Sequence, residues 1–215
     1  MLDQADFLRL VYTPDLTAAG MTYASQQLHL PSSHSPPEVR QRIQQLVLDK
    51  AVELAFRRYL DTQHVSYDTA PGTAFANHAE YYLRLGGWRC NFISHWIDQT
   101  EIAHQVLAQP ASLLQAAALL SSQRVVAWIP GERDLYIFSF VIPSISSSES
   151  QPLTAETIFL AGYISHPEFA RRSRRLASGS SVFPAIHVRQ MTRLLIVSEL
   201  HPIQELLESP GVQSI

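Results

Sequence analysis

The sequence predicts an α/β domain, bordering on α+β, built on one mostly buried mixed sheet flanked by helices. Three observations carry that expectation. Residues 80–97, EYYLRLGGWRCNFISHWI, place two extended runs around Gly86-Gly87. A two-residue Gly-Gly loop supplies the positive φ angles a tight hairpin turn needs. Residues 38–60 read as a long helix that is apolar on most sides, the mark of a central, buried helix. Residues 135–142, LYIFSFVI, and 157–164, TIFLAGYI, read as two strong apolar strands.

Taken in order, residues 5–28 begin irregularly and become a short helix. Asp15 or Thr17 caps it, and Ala18, Met21, Ala24 and Leu28 follow at helical spacing. Residues 29–37, HLPSSHSPP, form a loop. In the long helix Val39, Ile43, Leu46 and Val47 make one apolar stripe; Leu48, Val52, Phe56 and Tyr59 extend it to other sides. Glu53 and Arg57 are an i,i+4 pair on it. Pro71-Gly72 marks a turn before the hairpin. Successive strand side chains point to opposite faces, so Asn91, Ile93 and His95 share one face and Cys90, Phe92 and Ser94 the other. Residues 99–121 read as helical, broken by Pro110. A short strand is expected over 124–129, and a solvated loop over 143–154. Ser165 caps a further helix, with Pro167 in its first turn and Glu168 three residues on. That helix is expected to carry Arg171, Arg172, Arg174 and Arg175. An apolar run at 192–197 and a short helix near 202–207 close the chain.

Composition bounds the function. The chain has 215 residues, 46% of them apolar and 16% charged; average usage is about a quarter charged, so much of the chain is expected to be buried. The whole, 1–215, reads as a single domain, with a helical and loop extension over 1–37 and the core over 38–215. A net charge of −3 excludes a globally basic nucleic-acid coat and leaves room for a local basic patch. The lone Cys90 excludes an internal disulfide. No Cys/His cluster has zinc spacing, and no glycine-rich phosphate loop, G-x-S-x-G elbow or H-E-x-x-H pair is present. No apolar run reaches the roughly 18 residues that a membrane helix needs, and the N-terminal stretch with Asp3 and Asp6 has no signal-peptide pattern. The expectation is a soluble, cytoplasmic protein of a reducing compartment.

A long helix bearing a Glu, then a hairpin, then a strand pair leading into a helix resembles the restriction-endonuclease-like fold of the PD-(D/E)XK nuclease superfamily. The phrases KAVELAFRRYL, LRLGGWRCNFIS, DLYIFSFVIP and FLAGYISHPEF carry the resemblance over residues 38–175. It implies an Asp on the first hairpin strand, and a D-x-K or E-x-K tripeptide on the second. Matched through Gly86-Gly87, these positions hold Tyr82, Asn91 and Ile93, and the helix Glu of the superfamily falls on Glu53. Mg²⁺ takes oxygen ligands, usually one or two carboxylates, and activates water beside the phosphate. Tyr and neutral Asn are poor replacements for carboxylates, and Ile cannot do the work of a Lys ammonium. The resemblance therefore implies a nuclease-like protein that has lost catalysis and acts as a binding or structural protein, with nucleic acid or another protein subunit as partner and without a metal or other cofactor. One alternative is an active nuclease with a displaced site at Glu53, Glu80, Asn91 and His95, the one case calling for Mg²⁺. The other is an unrelated α/β domain that binds a small molecule. Arg171, Arg172, Arg174 and Arg175 are candidate phosphate contacts, since guanidinium forks bind phosphate bidentately; a solvated helix face is the plain reading. The sequence leaves the oligomeric state open.

Overall fold

The hairpin forms where two glycines allow it. Gly86 and Gly87 hold φ of 57° and 80° and turn β3 (Tyr82–Leu85) into β4 (Trp88–Trp96), with Leu85 opposite Trp88 and Leu83 opposite Cys90. The computed structural model describes residues 2–27, 36–70, 82–121, 133–143, 155–184, 186–188, 190–209 and 211–212. Within them the chain runs through β1 (Leu8–Val11), α1 (Pro14–Gln27), α2 (Pro36–Thr62) and β2 (Asp68–Ala70), then the hairpin. It continues through α3 (Thr100–Ala108), a 3-10 turn at Pro110–Gln115, β5 (Ala117–Ser121), β6 (Asp134–Pro143) and β7 (Ala155–Ser165). Next come α4 (His166–Arg172), β8 (Arg174–Leu176), β9 (Ser181–Val182), β10 (Ile186–His187), β11 (Thr192–Ile196) and α5 (Ile203–Leu207).

Six strands form the main sheet in the order β1-β7-β6-β4-β3-β2. Only β4 and β6 pair in parallel; the other pairs are antiparallel. A parallel pair cannot be joined by a tight turn, and α3 and β5 lie within the connection. The four central strands are those expected from the sequence, and the α/β class is as expected.

Alternation splits the core in two. Cys90, Phe92, Leu135, Ile137 and Val141 face α2, which contributes Leu48, Ala51, Val52, Ala55 and Phe56. The Phe56 and Phe92 rings meet at 5.9 Å. On the opposite face Ile93, Tyr136, Phe138, Phe140 and Ile142 pack with Ala103 and Val106 of α3, Leu120 of β5 and Phe169 of α4. A bulge between Phe138 and Ser139 shifts the β6–β7 register beside Gly162. Gly162 has φ 152°, and a Cβ there would stand 2.7 Å from the His201 carbonyl oxygen. Only glycine lets the C-terminal segment approach β7 this closely.

Several expectations are corrected. Residues 117–121 are strand, not the end of a helical stretch: AALLS is a short apolar run whose periodicity cannot separate helix from strand, and pairing with β11 decides it. The break at Pro110 is present. Leu8–Val11 pairs antiparallel with β7, so the stretch read as an extension supplies an edge strand of the main sheet. The basic cluster does not ride on one helix. Ser173 leaves the helical region at φ −71°, ψ 146°, and Arg174 and Arg175 continue in β8, paired with β11. The strand expected at 124–129, the turn at Pro71-Gly72 and the loop from 144 onward lie outside the described residues. Among those residues no helix is long and apolar enough to cross a membrane.

Candidate functional site

Helical spacing stacks Lys50, Glu53 and Arg57 along one side of α2. Lys50 Nζ donates to Glu53 Oε1 and Oε2, both at 3.0 Å, and Arg57 Nη2 donates to Oε1. The Lys50 ammonium also lies 4.7 Å from the centre of the Tyr23 ring. Lys50 and Glu53 are each 8% exposed. Burial pushes the Glu53 carboxyl above the usual range, with Lys50 and Arg57 opposing the shift. One turn earlier, Asp49 Oδ1 accepts from Ser94 N at 2.8 Å, and Gln45 Nε2 donates to Ser94 O at 2.9 Å. Both side chains reach the backbone of Ser94 from α2. Glu53 therefore sits over the Cys90 face of β4. The Cys90 thiol is pushed up to about 12, by burial first and by the Glu53 charge second.

Asn91, Ile93 and His95 point to the other face. Asn91 Nδ2 donates to Asp134 Oδ1 at 3.1 Å and to Leu135 O at 3.3 Å. Arg89 and Asp134 are register partners across β4 and β6. Arg89 grips both carboxylate oxygens, through Nε on Oδ1 and through Nη2 on Oδ2 at 2.8 Å. Asp134 is 3% exposed. Tyr136 OH and His166 Nδ1 lie 2.7 Å apart; burial pushes the His166 imidazole down, with Asp134 acting the other way. Ile93 is a core residue, and the His95 ring packs 5.7 Å from that of Phe140.

The matched positions are thus divided. Asn91, Ile93 and His95 share a face, as expected, and Glu53 lies across the sheet from them. Tyr82 begins β3, with its side chain outside the description; Glu80 lies outside the described residues. The amide at 91 fits its place, because its N–H groups can donate to the Asp134 carboxylate, whereas an Asp there would set two carboxylates side by side. Both oxygens of Asp134 and both of Glu53 are taken by cationic donors. Among the described residues, no group of three His, Cys, Asp or Glu side chains is placed to hold a metal ion.

A second charged region lies where α4 passes into β8. Ser165 Oγ accepts from Glu168 N at 3.4 Å, starting the helix at the expected cap. Arg172 Nη1 donates to Glu168 Oε1 at 2.6 Å, and its Nη2 lies 3.9 Å from Glu199 Oε1. His201 Nε2 is 2.9 Å from the other Glu168 oxygen. Burial raises the Glu168 pKa, but His201 and Arg172 outweigh it and hold the group below the usual range. Arg193 of β11 donates to Ala170 O at 2.6 Å, Ser173 Oγ at 2.7 Å and Ser173 O at 3.1 Å. Its guanidinium covers the negative C-terminal end of α4. Arg171, Arg174 and Arg175 are exposed and, among the described residues, make no side-chain ion pair or hydrogen bond. Among the described residues β8 is an edge strand, and Arg174 and Arg175 lie on it.

The sequence reasoning did not single out Lys50, Arg89, Asp134, Tyr136 or His166. Lys50 was legible at three residues before Glu53. The Arg89–Asp134 fork depends on the β4–β6 register, which no local spacing reveals. No family model, curated protein or solved structure matches the chain.

Proposed function

We propose that this chain is a nuclease-like fold that binds nucleic acid without cleaving it, using Arg171, Arg174 and Arg175 as phosphate contacts. One observation carries the reading: Glu53, the only acid kept at the matched positions, is held by Lys50 and Arg57 on the face of β4 opposite Asn91 and Ile93. A metal-dependent nuclease needs carboxylates that converge on an ion beside the phosphate. The arrangement here ties its carboxylates to arginine, lysine and asparagine instead. On a chain of net charge −3, three exposed arginines fall within five residues at the passage from α4 into β8, Arg174 and Arg175 on opposite faces of the strand, so positive charge is gathered around that edge. This basic ridge suits the backbone of nucleic acid, where neutralised phosphates release counterions.

Duplex binding followed by fluorescence anisotropy across a salt series tests this. Binding should weaken steeply with salt, and replacing both Arg171 and Arg174 with Gln should lower the log–log slope by about 2. Binding indifferent to salt, or a slope unchanged in the variant, would refute the ridge and favour the protein-subunit partner that the resemblance also allows.

A further inference from the structure

Arg172 stands between Arg171 and Arg174 in the chain, yet differs from both. It is the arginine of this ridge whose guanidinium is held by acids: Glu168 Oε1 at 2.6 Å on its own helix, and Glu199 Oε1 at 3.9 Å from the turn after β11. Glu168 is itself fixed from the far side by His201 Nε2 at 2.9 Å, and His201 is anchored through its backbone to Tyr163 of β7. The acid that holds Arg172 is thus braced against the main sheet, not loose on a helix face. A guanidinium paired in this way has its charge offset by two carboxylates and its Nη1 turned to Glu168, so its pull on a phosphate is much weaker than that of an unpaired arginine until Glu168 releases it.

We infer that Glu168 and Glu199 form an acidic clamp that withholds Arg172 from the ridge, so that the protein binds phosphodiester backbone with three arginines while the clamp is closed and four once it is open. The inference rests on the ridge reading and concerns its regulation. The clamp sets affinity below what the sequence of the ridge would give.

The test uses the full chain and a short DNA duplex in a salt series. Arg172→Gln should leave the log–log slope of the wild type unchanged. Glu168→Gln should steepen it by about 1. Removing an acid also lessens general repulsion, so the double variant Glu168→Gln/Arg172→Gln is decisive: its slope should return to the wild-type value. Retention of the steeper slope in the double variant would overturn the clamp, as would a drop of about 1 in Arg172→Gln alone, which would mean that Arg172 already touches phosphate. Should Glu168→Gln not fold, Glu199→Gln with and without Arg172→Gln takes its place: a steeper slope that reverts in the double variant is expected, and an unchanged slope, or one that stays steep in the double variant, would overturn the clamp. Absence of duplex binding in every one of these proteins would overturn the ridge, and the clamp with it; binding that ignores the clamp variants would overturn the clamp and leave the ridge standing.

Discussion

The two charged regions of this molecule use similar side chains to opposite ends. On α2, Lys50 and Glu53 are buried, Arg57 is half-buried, and Glu53 is bonded to both cations. Along α4 and β8, Arg171, Arg174 and Arg175 face water. A buried charge must be paired because desolvation is costly, so the α2 group serves the fold and has little left to offer a ligand. An exposed guanidinium carries no such obligation and contributes little to stability, which frees it to meet a partner. The difference teaches that where a chain keeps an acid matters more than whether it keeps one. Glu53 stands where the proposed resemblance asks for an acid, but Lys50 and Arg57 hold it as a structural group.

Substitutions can break this contrast. The largest effect is expected from Glu53→Ala, which strands Lys50 and Arg57; denaturant unfolding should show a loss of about 3–5 kcal/mol. A loss under about 1 kcal/mol would place Glu53 with the surface pairs and end the contrast. Asn91→Asp restores an acid at a matched position, but 3.1 Å from the Asp134 carboxylate. It should cost about 1–3 kcal/mol at neutral pH. Like charge raises the folded-state pKa of the new carboxyl, so the deficit is full above that raised value and fades as pH falls through the unfolded carboxylate value. A deficit that does not shrink in acid would show that shape, not charge, is responsible.

Glu168 titrates in the opposite sense. Its folded-state pKa is depressed, so its contribution is complete above the unfolded carboxylate value and is lost as pH falls through the folded value. Glu168→Gln should therefore flatten the acid limb of the stability profile, and an unaltered limb would remove Glu168 from the network. Smallest of all, Arg174→Gln should change stability by less than about 0.5 kcal/mol while weakening duplex binding. A large loss of stability there would make the ridge structural too.

Much of the fold was legible because its signals are local. Gly86-Gly87 announced the hairpin, LYIFSFVI and TIFLAGYI the strands, and Ser165 with Glu168 the start of α4. Two elements escaped for one reason. AALLS and LRLV are too short to show a period, and become strands only through β11 and β7. The sites followed the same division. The shared face of Asn91, Ile93 and His95 could be read from alternation. The placement of Glu53 across the sheet could not, because the seating of α2 depends on Phe56 meeting Phe92 and on Asp49 and Gln45 meeting Ser94. The split of the arginines at Ser173 was hidden as well, since a basic run does not reveal where a helix ends.

The central claim is that the chain holds nucleic acid at the ridge and does not cut it. The most direct measurement incubates one DNA duplex with the purified protein and Mn²⁺, following the complex and the integrity of the strands together. The duplex should remain whole while bound, and the complex should be lost when Arg171 and Arg174 are replaced by Gln, with or without the metal. Cleavage that requires Mn²⁺ and disappears in Glu53→Gln would contradict the account, because it would return to Glu53 the role that Lys50 and Arg57 are here said to have closed.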